Sequence, residues 1–230
     1  MAKVQRLRIT FTRGEELKYI THLDMMRFWE RALRRAGLPV AYSEGFTPHP
    51  QISLATPLAV GTTSEAELMD VYLTEHIPPK RFLADLSSQL PVGVSAVAAE
   101  ETGMSLPAVQ ADLRFAEYDV DVDGARQEDA RAKAEDFLAK PSVPWEHKRE
   151  NETRAYDIRA LVEAIEVAPR DAGVRLRMRL RNDNAGAGRP EQVVAAIGLP
   201  APSRIHRTKL VLAQRSLAHE AWRKRGRFAS

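Results

Sequence analysis

The stretch VRLRMRLRN, residues 174–182, limits what this chain can fold into more than any other. Val174, Leu176, Met178 and Leu180 point one way; Arg175, Arg177, Arg179 and Arg181 point the other. A strict period of two means a β-strand with one buried and one polar face, and such a strand needs a sheet and a core. Same-face residues on a strand stand about 6.6 to 6.8 Å apart. That is close to the spacing of phosphates along an extended nucleic-acid strand, so four guanidiniums suit a phosphate backbone. The alternative is a solvated face paired with acids across the sheet. A hairpin closed over residues 168–173 would set Glu166, Ala164, Val162 and Ala160 opposite the arginines, and only one of those is acidic. On that register the ladder is expected to stay largely unneutralised.

The rest of the chain reads as two halves, each strand–helix–strand–strand–helix–strand. RLRITFTR alternates Leu7, Ile9 and Phe11 with Arg6, Arg8, Thr10 and Thr12, a half-buried strand. Thr21 and Asp24 form a capping box for a helix that Gly37 and Pro39 stop. Met25, Trp29, Ala32, Leu33 and Ala36 share its apolar stripe. LPVAYS and ELMDVYLTE read as strands, PKRFLADLSSQL as a helix started by Pro78 and Pro79, and VGVSAVAAE as a closing strand. In the second half, LRFAEYDVDV and VPWEHKRE read as strands around the helix QEDARAKAEDFLAK. AYDIRALVEAIEVA and GVRLRMRLRN read as a hairpin, followed by the helix RPEQVVAAIG and the strand IHRTKLVLA. The expected fold class is α+β: two tandem ferredoxin-like units with antiparallel sheets. They span 1–104, with a long loop over 45–66, and 105–212, followed by a basic tail over 213–230. A single larger α+β domain is the alternative.

Composition narrows the chemistry. The chain has no cysteine, which excludes disulfides, cysteine nucleophiles, thiolate zinc sites and protein-held iron–sulfur clusters. No apolar run reaches the roughly 18 to 20 residues of a membrane span, and the start lacks a signal-peptide core. A soluble cytoplasmic protein with no membrane partner is expected. The net charge of +3 is unevenly spread: residues 204–230 hold eight Lys or Arg against one acid, leaving the rest at about −4. Arg223, Lys224 and Arg225 thus sit in a concentrated basic segment, the footprint of an anionic partner or simply a solvated terminus.

The other candidates are weaker. Arg27, Arg31 and Arg34 line one side of the first helix, where Glu30 can pair with Arg34 and leave a plain solvated face. AYSEGFTPHPQIS, residues 41–53, is a loop stiffened by Pro48 and Pro50 and freed to turn at Gly45. With Tyr42, Phe46 and His49 exposed, and Glu44 beside them, it suits base stacking or contact with a ligand or partner. The alternative is that Phe46 tucks into the core. Six histidines show no metal-ligand spacing, so no metal and no cofactor are expected. No catalytic residue is assigned. His22, at the start of the first helix, and His49 are the candidates if the protein cleaves RNA without a metal.

LRITFTRGEELKYITHLDMMRFWERALRRAGLPVAYSEGFTPHPQISLATPLAVGTTSEAELMDVYL, residues 7–73, resembles the N-terminal signature of the radical-SAM-linked bacterial family. ETRAYDIRALV and GRPEQVVAAIGL with RIHRTKLVL resemble its C-terminal half. That family is found fused to, or encoded beside, a radical SAM protein. The resemblance implies a partnership without a reaction or assigned catalytic residues. Because a radical SAM enzyme needs a cysteine triad, this chain would be the companion. At the level of architecture alone the chain also resembles tandem ferredoxin-like RNA-binding and RNA-cleaving proteins of CRISPR systems. The expected function is therefore a non-catalytic accessory protein that binds RNA or a ribonucleoprotein substrate for a radical SAM partner. A metal-independent RNA-cleaving enzyme and a pure protein-interaction module are the alternatives.

Overall fold

The structure is a computed structural model that describes residues 2–149 and 152–213. In chain order the elements are β1 (Gln5–Arg13), α1 (His22–Arg35), β2 (Ile52–Leu54), β3 (Thr63–Leu73), α2 (Pro79–Ser87), β4 (Val94–Glu101) and α3 (Val109–Asp112). They continue with β5 (Leu113–Asp123), α4 (Gln127–Ala139), β6 (Pro144–Arg149), β7 (Glu152–Asp157), β8 (Val162–Arg170) and β9 (Gly173–Asp183). The last are β10 (Gly186–Ala187), α5 (Pro190–Ile197) and β11 (Arg204–Leu212). The protein is a mixed α+β chain with mostly antiparallel strands, and it divides into two compact units at residue 113. No helix among the described residues is long and apolar enough to cross a membrane.

In the first unit β1 pairs antiparallel with β3 on one side and β4 on the other, and β2 pairs with β3. Leu7, Ile9 and Phe11 of β1 and Met69, Val71 and Leu73 of β3 form one wall of the core. Met25, Trp29 and Leu33 of α1 and Phe82 and Leu86 of α2 close it. Helix α1 starts as the capping box requires: the Thr21 hydroxyl accepts the Asp24 N–H at 3.2 Å. LPVAYS does not form the expected strand. Pro39 and Pro50 remove backbone donors there, and only the isolated bridges Val40 to Leu73 and Tyr42 to Pro50 remain.

The other face of β1 is a second departure. Arg6 and Arg8 are buried, although alternation places them on a polar side. Both converge on Asp70 of β3, which has no exposed surface. Arg8 reaches it at 2.8 and 3.1 Å, Arg6 Nε at 3.1 Å, and the Val109 N–H donates at 2.9 Å. Arg6 Nη2 also donates to Asp70, and Arg6 further holds the carbonyls of Leu106 and Pro107 at 2.8 and 2.6 Å. The segment after β4 is thereby fastened to the first unit, which runs on to residue 113.

In the second unit the sheet order is β10–β9–β5–β11, with β8 on β9. The stretch 155–168 is not one strand. Its first part pairs with β6 as the two-stranded β6–β7 hairpin, and its second part is β8. Asp157 makes the break. Its carboxylate accepts the N–H groups of Val143 at 2.9 Å and Arg159 at 3.0 Å, which holds its pKa below the ordinary range. Arg159 then donates to the carbonyls of Leu138 and Val162, setting the turn before β8.

Candidate functional site

The arginine ladder of β9 stands where the alternation predicts, but it is not unneutralised. The β8–β9 turn is tighter than assumed, Arg170 facing Gly173, so the register moves by two residues and Glu166 faces Arg177. The larger correction comes from the other neighbour. β5 sets Asp121 opposite Arg175, Asp119 opposite Arg177 and Glu117 opposite Arg179. Arg175 grips Asp121 with two hydrogen bonds of 2.7 and 3.0 Å and stands 3.5 Å from Asp119. Arg177 pairs with Glu166 at 3.4 Å, Arg179 with Glu117 at 3.9 Å, and Arg181 with Asp183 at 2.8 Å. Arg179 also lies over the Phe115 ring, 4.6 Å from its centroid. Every rung of the ladder has an acid.

Asp121 is the centre of this network, 4% exposed, with Arg170 and Arg204 at 3.6 and 3.9 Å in addition to Arg175. Burial pushes its carboxyl up, but the Arg175 hydrogen bonds and the three cations outweigh that and hold it below the ordinary 3.8. The folded state therefore favours the ionised form. Its stabilisation is full above about pH 4 and is lost as pH falls through the lowered value. In a pH series of urea melts of the full chain, Asp121→Asn should cost about 2 kcal/mol at pH 7. The difference from the native protein should shrink below pH 4.

The first unit carries the open features. Arg27, Arg31, Arg34 and Arg35 are all exposed on α1. Arg27 approaches Asp24 at 3.7 Å, while Arg31 and Arg34 have no carboxylate partner among the described residues. The anticipated Glu30–Arg34 pair is not made. Past the end of α1, the Ser43 N–H donates to the His49 carbonyl at 2.9 Å and the His49 N–H to the Ser43 hydroxyl at 3.0 Å. Gly45, at φ 124°, turns the chain between them. Phe46 does not enter the core; it is fully exposed at this closed tip, with Glu44 and His49 exposed beside it. Tyr42 is half-buried instead, because its backbone bridges to Pro50.

His22 is the first residue of α1 and lines a small cleft with Phe11, Arg13, Met25, Leu54, Thr56, Leu58 and Glu67. The cleft has room for about one water molecule. His49 belongs to the loop beyond the other end of α1, and the structure does not bring the two histidines to one site. Neither imidazole has a hydrogen-bond partner among the described residues, whereas a working general base is normally oriented by one. No group of three His, Asp or Glu among the described residues is placed to hold a metal ion. Arg223, Lys224 and Arg225 lie outside the described residues.

The alternation and loop signals locate the ladder and Phe46 but do not mark Tyr19, Leu23 or Val60. All three are exposed in the first unit. Leu23 carries a faint signal, being an apolar helix residue off the stripe of Met25 and Trp29.

None of the curated proteins matches the chain. Among solved structures it is similar to a chain of a Cbf5–Nop10–Gar1 complex, at 12% identity and a TM-score of 0.49, over 90% of this chain and 49% of that one. It is also similar to a chain of an archaeal box H/ACA sRNP Nop10–Cbf5 complex, at 12% identity and a TM-score of 0.41, over 89% and 47%. The protein spans about half the length of these chains. The model of one family, described as "Uncharacterized protein conserved in bacteria (DUF2344)", matches residues 6–190, and the chain belongs to that family.

Proposed function

We propose that the protein is a non-catalytic accessory factor that binds RNA, or a ribonucleoprotein substrate, on behalf of a radical SAM enzyme. Its two units, with β4–β1–β3–β2 in one and β11–β5–β9–β8 in the other, are read as ferredoxin-like. The observation that carries the reading is Phe46, bare at the tip of a loop closed by its own hydrogen bonds. An aromatic ring left in water on an ordered loop suits stacking on an unpaired base. The exposed arginines of α1 supply phosphate contacts close by in the chain, and the neutralised ladder of β9 moves to a secondary role. Support for the radical SAM partner is the sequence resemblance of residues 7–73 and of the C-terminal segments. The RNA's identity does not come from the arginines, since phosphate contacts position without reading sequence.

The test is fluorescence anisotropy with a labelled 20-nucleotide oligouridine across a salt series. Each phosphate contact contributes about −0.7 to the log–log slope on a single strand. Arg31→Glu with Arg34→Glu should flatten the slope by about 1.4, and Arg177→Glu with Arg179→Glu by less. Phe46→Ala should weaken binding by about 1–3 kcal/mol with the slope unchanged. No binding at about 0.1 M salt would sink the RNA reading. A second reading, RNA cleavage, is favoured by the single fact that His22 shares its cleft with Glu67 and Arg13. RNA cut in EDTA by the native protein and spared by His22→Ala would establish it in place of the accessory role.

A further inference from the structure

The outer edge of β8 leaves backbone hydrogen bonds unmade. The β8–β9 hairpin closes on Arg170 and Gly173 across a two-residue turn, so those two residues exchange both ladder hydrogen bonds. Counting back along β8, Ala168, Glu166 and Ala164 also bond toward β9. The N–H and C=O groups of Ile165 and Val167 therefore point the other way. Among the described residues no strand pairs with that side of β8, and no backbone group bonds those four. Free N–H and C=O groups in a row, at every second residue, are the template for another extended strand.

Helix α4 packs over this strand, and the two flank an open groove of about 280 Å³. Ala134, Leu138, Ile165 and Val167 give the groove its apolar lining, and Arg131, Glu135 and Glu166 border it. Its volume is below the usual range for a small-molecule site. Glu166 is already met by Arg177 at 3.4 Å. Arg131 and Glu135 are exposed one turn apart on α4, and neither has an ion-pair partner among the described residues. A positive and a negative charge so spaced are complementary to a second copy of themselves. Two α4 helices set antiparallel about a two-fold axis place Arg131 of each against Glu135 of the other, the reciprocal pattern of an isologous contact. The same axis, perpendicular to the sheet, pairs two β8 strands antiparallel. A register centred on Ile165 puts Ala164 opposite Glu166 and Glu163 opposite Val167, so no like charges face each other. It also leaves Pro169, which has no N–H to give, outside the paired stretch.

We propose that the protein forms a two-fold dimer through β8, in which the α4 helices of the two copies exchange Arg131–Glu135 ion pairs. An unrelated strand would satisfy Ile165 and Val167 equally well, but the matched charges on α4 single out a second copy of this chain. The inference goes beyond the RNA reading and does not depend on it, since β8 and α4 carry neither the α1 arginines nor Phe46.

Sedimentation equilibrium of the full chain over a concentration series tests this. A species of twice 25.7 kDa is expected. Arg131→Glu and Glu135→Arg, each alone, bring like charges together at both contacts and should weaken association about tenfold or more. Mixed in equal amounts, the two variants oppose unlike charges at both contacts, so the dimer should return as a heterodimer. The double variant carrying both changes should dimerise as the native chain does. Val167→Pro deletes an outward N–H and no β8–β9 bond, so it should give a monomer that still unfolds cooperatively. A native chain that stays at 25.7 kDa up to about 0.1 mM would overturn the proposal. So would a dimer that survives both single reversals, which would place the contact elsewhere. Loss of the dimer in the single variants without recovery on mixing would equally refute the reciprocal pairing.

Discussion

Asp70→Ala is expected to destabilise the first unit by about 3–5 kcal/mol, the largest electrostatic effect expected among the described residues. Asp70 is fully buried and accepts five hydrogen bonds, four from Arg6 and Arg8 and one from the Val109 N–H. Alanine leaves two guanidiniums inside the protein with much of their charge uncompensated. The cost is desolvation without repayment, which is far larger than the net worth of the intact group. The backbone is affected as well, because the Val109 N–H loses its acceptor and the 103–112 segment loses one of its fastenings. Urea unfolding followed by the fluorescence of the buried Trp29 measures the loss. Amide exchange of Leu106–Asp112 should accelerate more than that of α2. A triple variant, Arg6→Met, Arg8→Leu and Asp70→Leu, removes the charges together and should recover part of the stability, since apolar replacement of a whole buried ion group is often near neutral, while the Val109 N–H and the carbonyls of Leu106 and Pro107 still lose their partners. A loss below about 1 kcal/mol in Asp70→Ala would refute the account.

Trp29→Ala should cost a similar 3–5 kcal/mol, for the opposite kind of reason. Trp29 is completely buried, edge-on to Phe11 at 4.8 Å between ring centroids and to Phe28 at 5.1 Å. Truncation removes both aromatic contacts and opens a cavity at the centre of the first core. Trp29→Phe should be much milder, below about 1.5 kcal/mol. The indole N–H has no hydrogen-bond partner among the described residues, so phenylalanine discards a buried donor that the fold does not satisfy. Thermal melts of the two variants check the ordering. If Trp29→Phe were as damaging as Trp29→Ala, shape and not burial would control the site.

Local periodicity was a sound guide wherever one element could be judged alone. Leu7, Ile9 and Phe11 face the core as their alternation requires, Thr21 caps α1, and Val174 to Leu180 are buried at every second position. Pro48, Pro50 and Gly45 mark a stiff turning loop, and Phe46 stands exposed at its tip. These features depend on neighbours within a few residues, which the chain states directly.

Pairing between distant strands was not readable in the same way. β5 carries Glu117, Asp119, Asp121 and Asp123 at a period of two, a matching acid ladder visible in FAEYDVDVD. Only the sheet order places it against the arginines of β9 rather than in solvent. The hairpin partner β8 by itself supplies only Glu166 to the ladder. Arg6 and Arg8 are buried for a related reason: alternation assigns them a polar face, but only a third element decides whether that face meets water. Asp70 comes from more than sixty residues away and the carbonyls of Leu106 and Pro107 from about a hundred. Which side of each element is apolar, where α1 begins and which loop carries Phe46 are all legible along the chain. Tertiary structure alone decided which charges are spent on one another and which remain for a partner. Side-chain periodicity is a local property of the backbone, whereas the neutralisation of a charge depends on what the rest of the chain brings within about 4 Å of it.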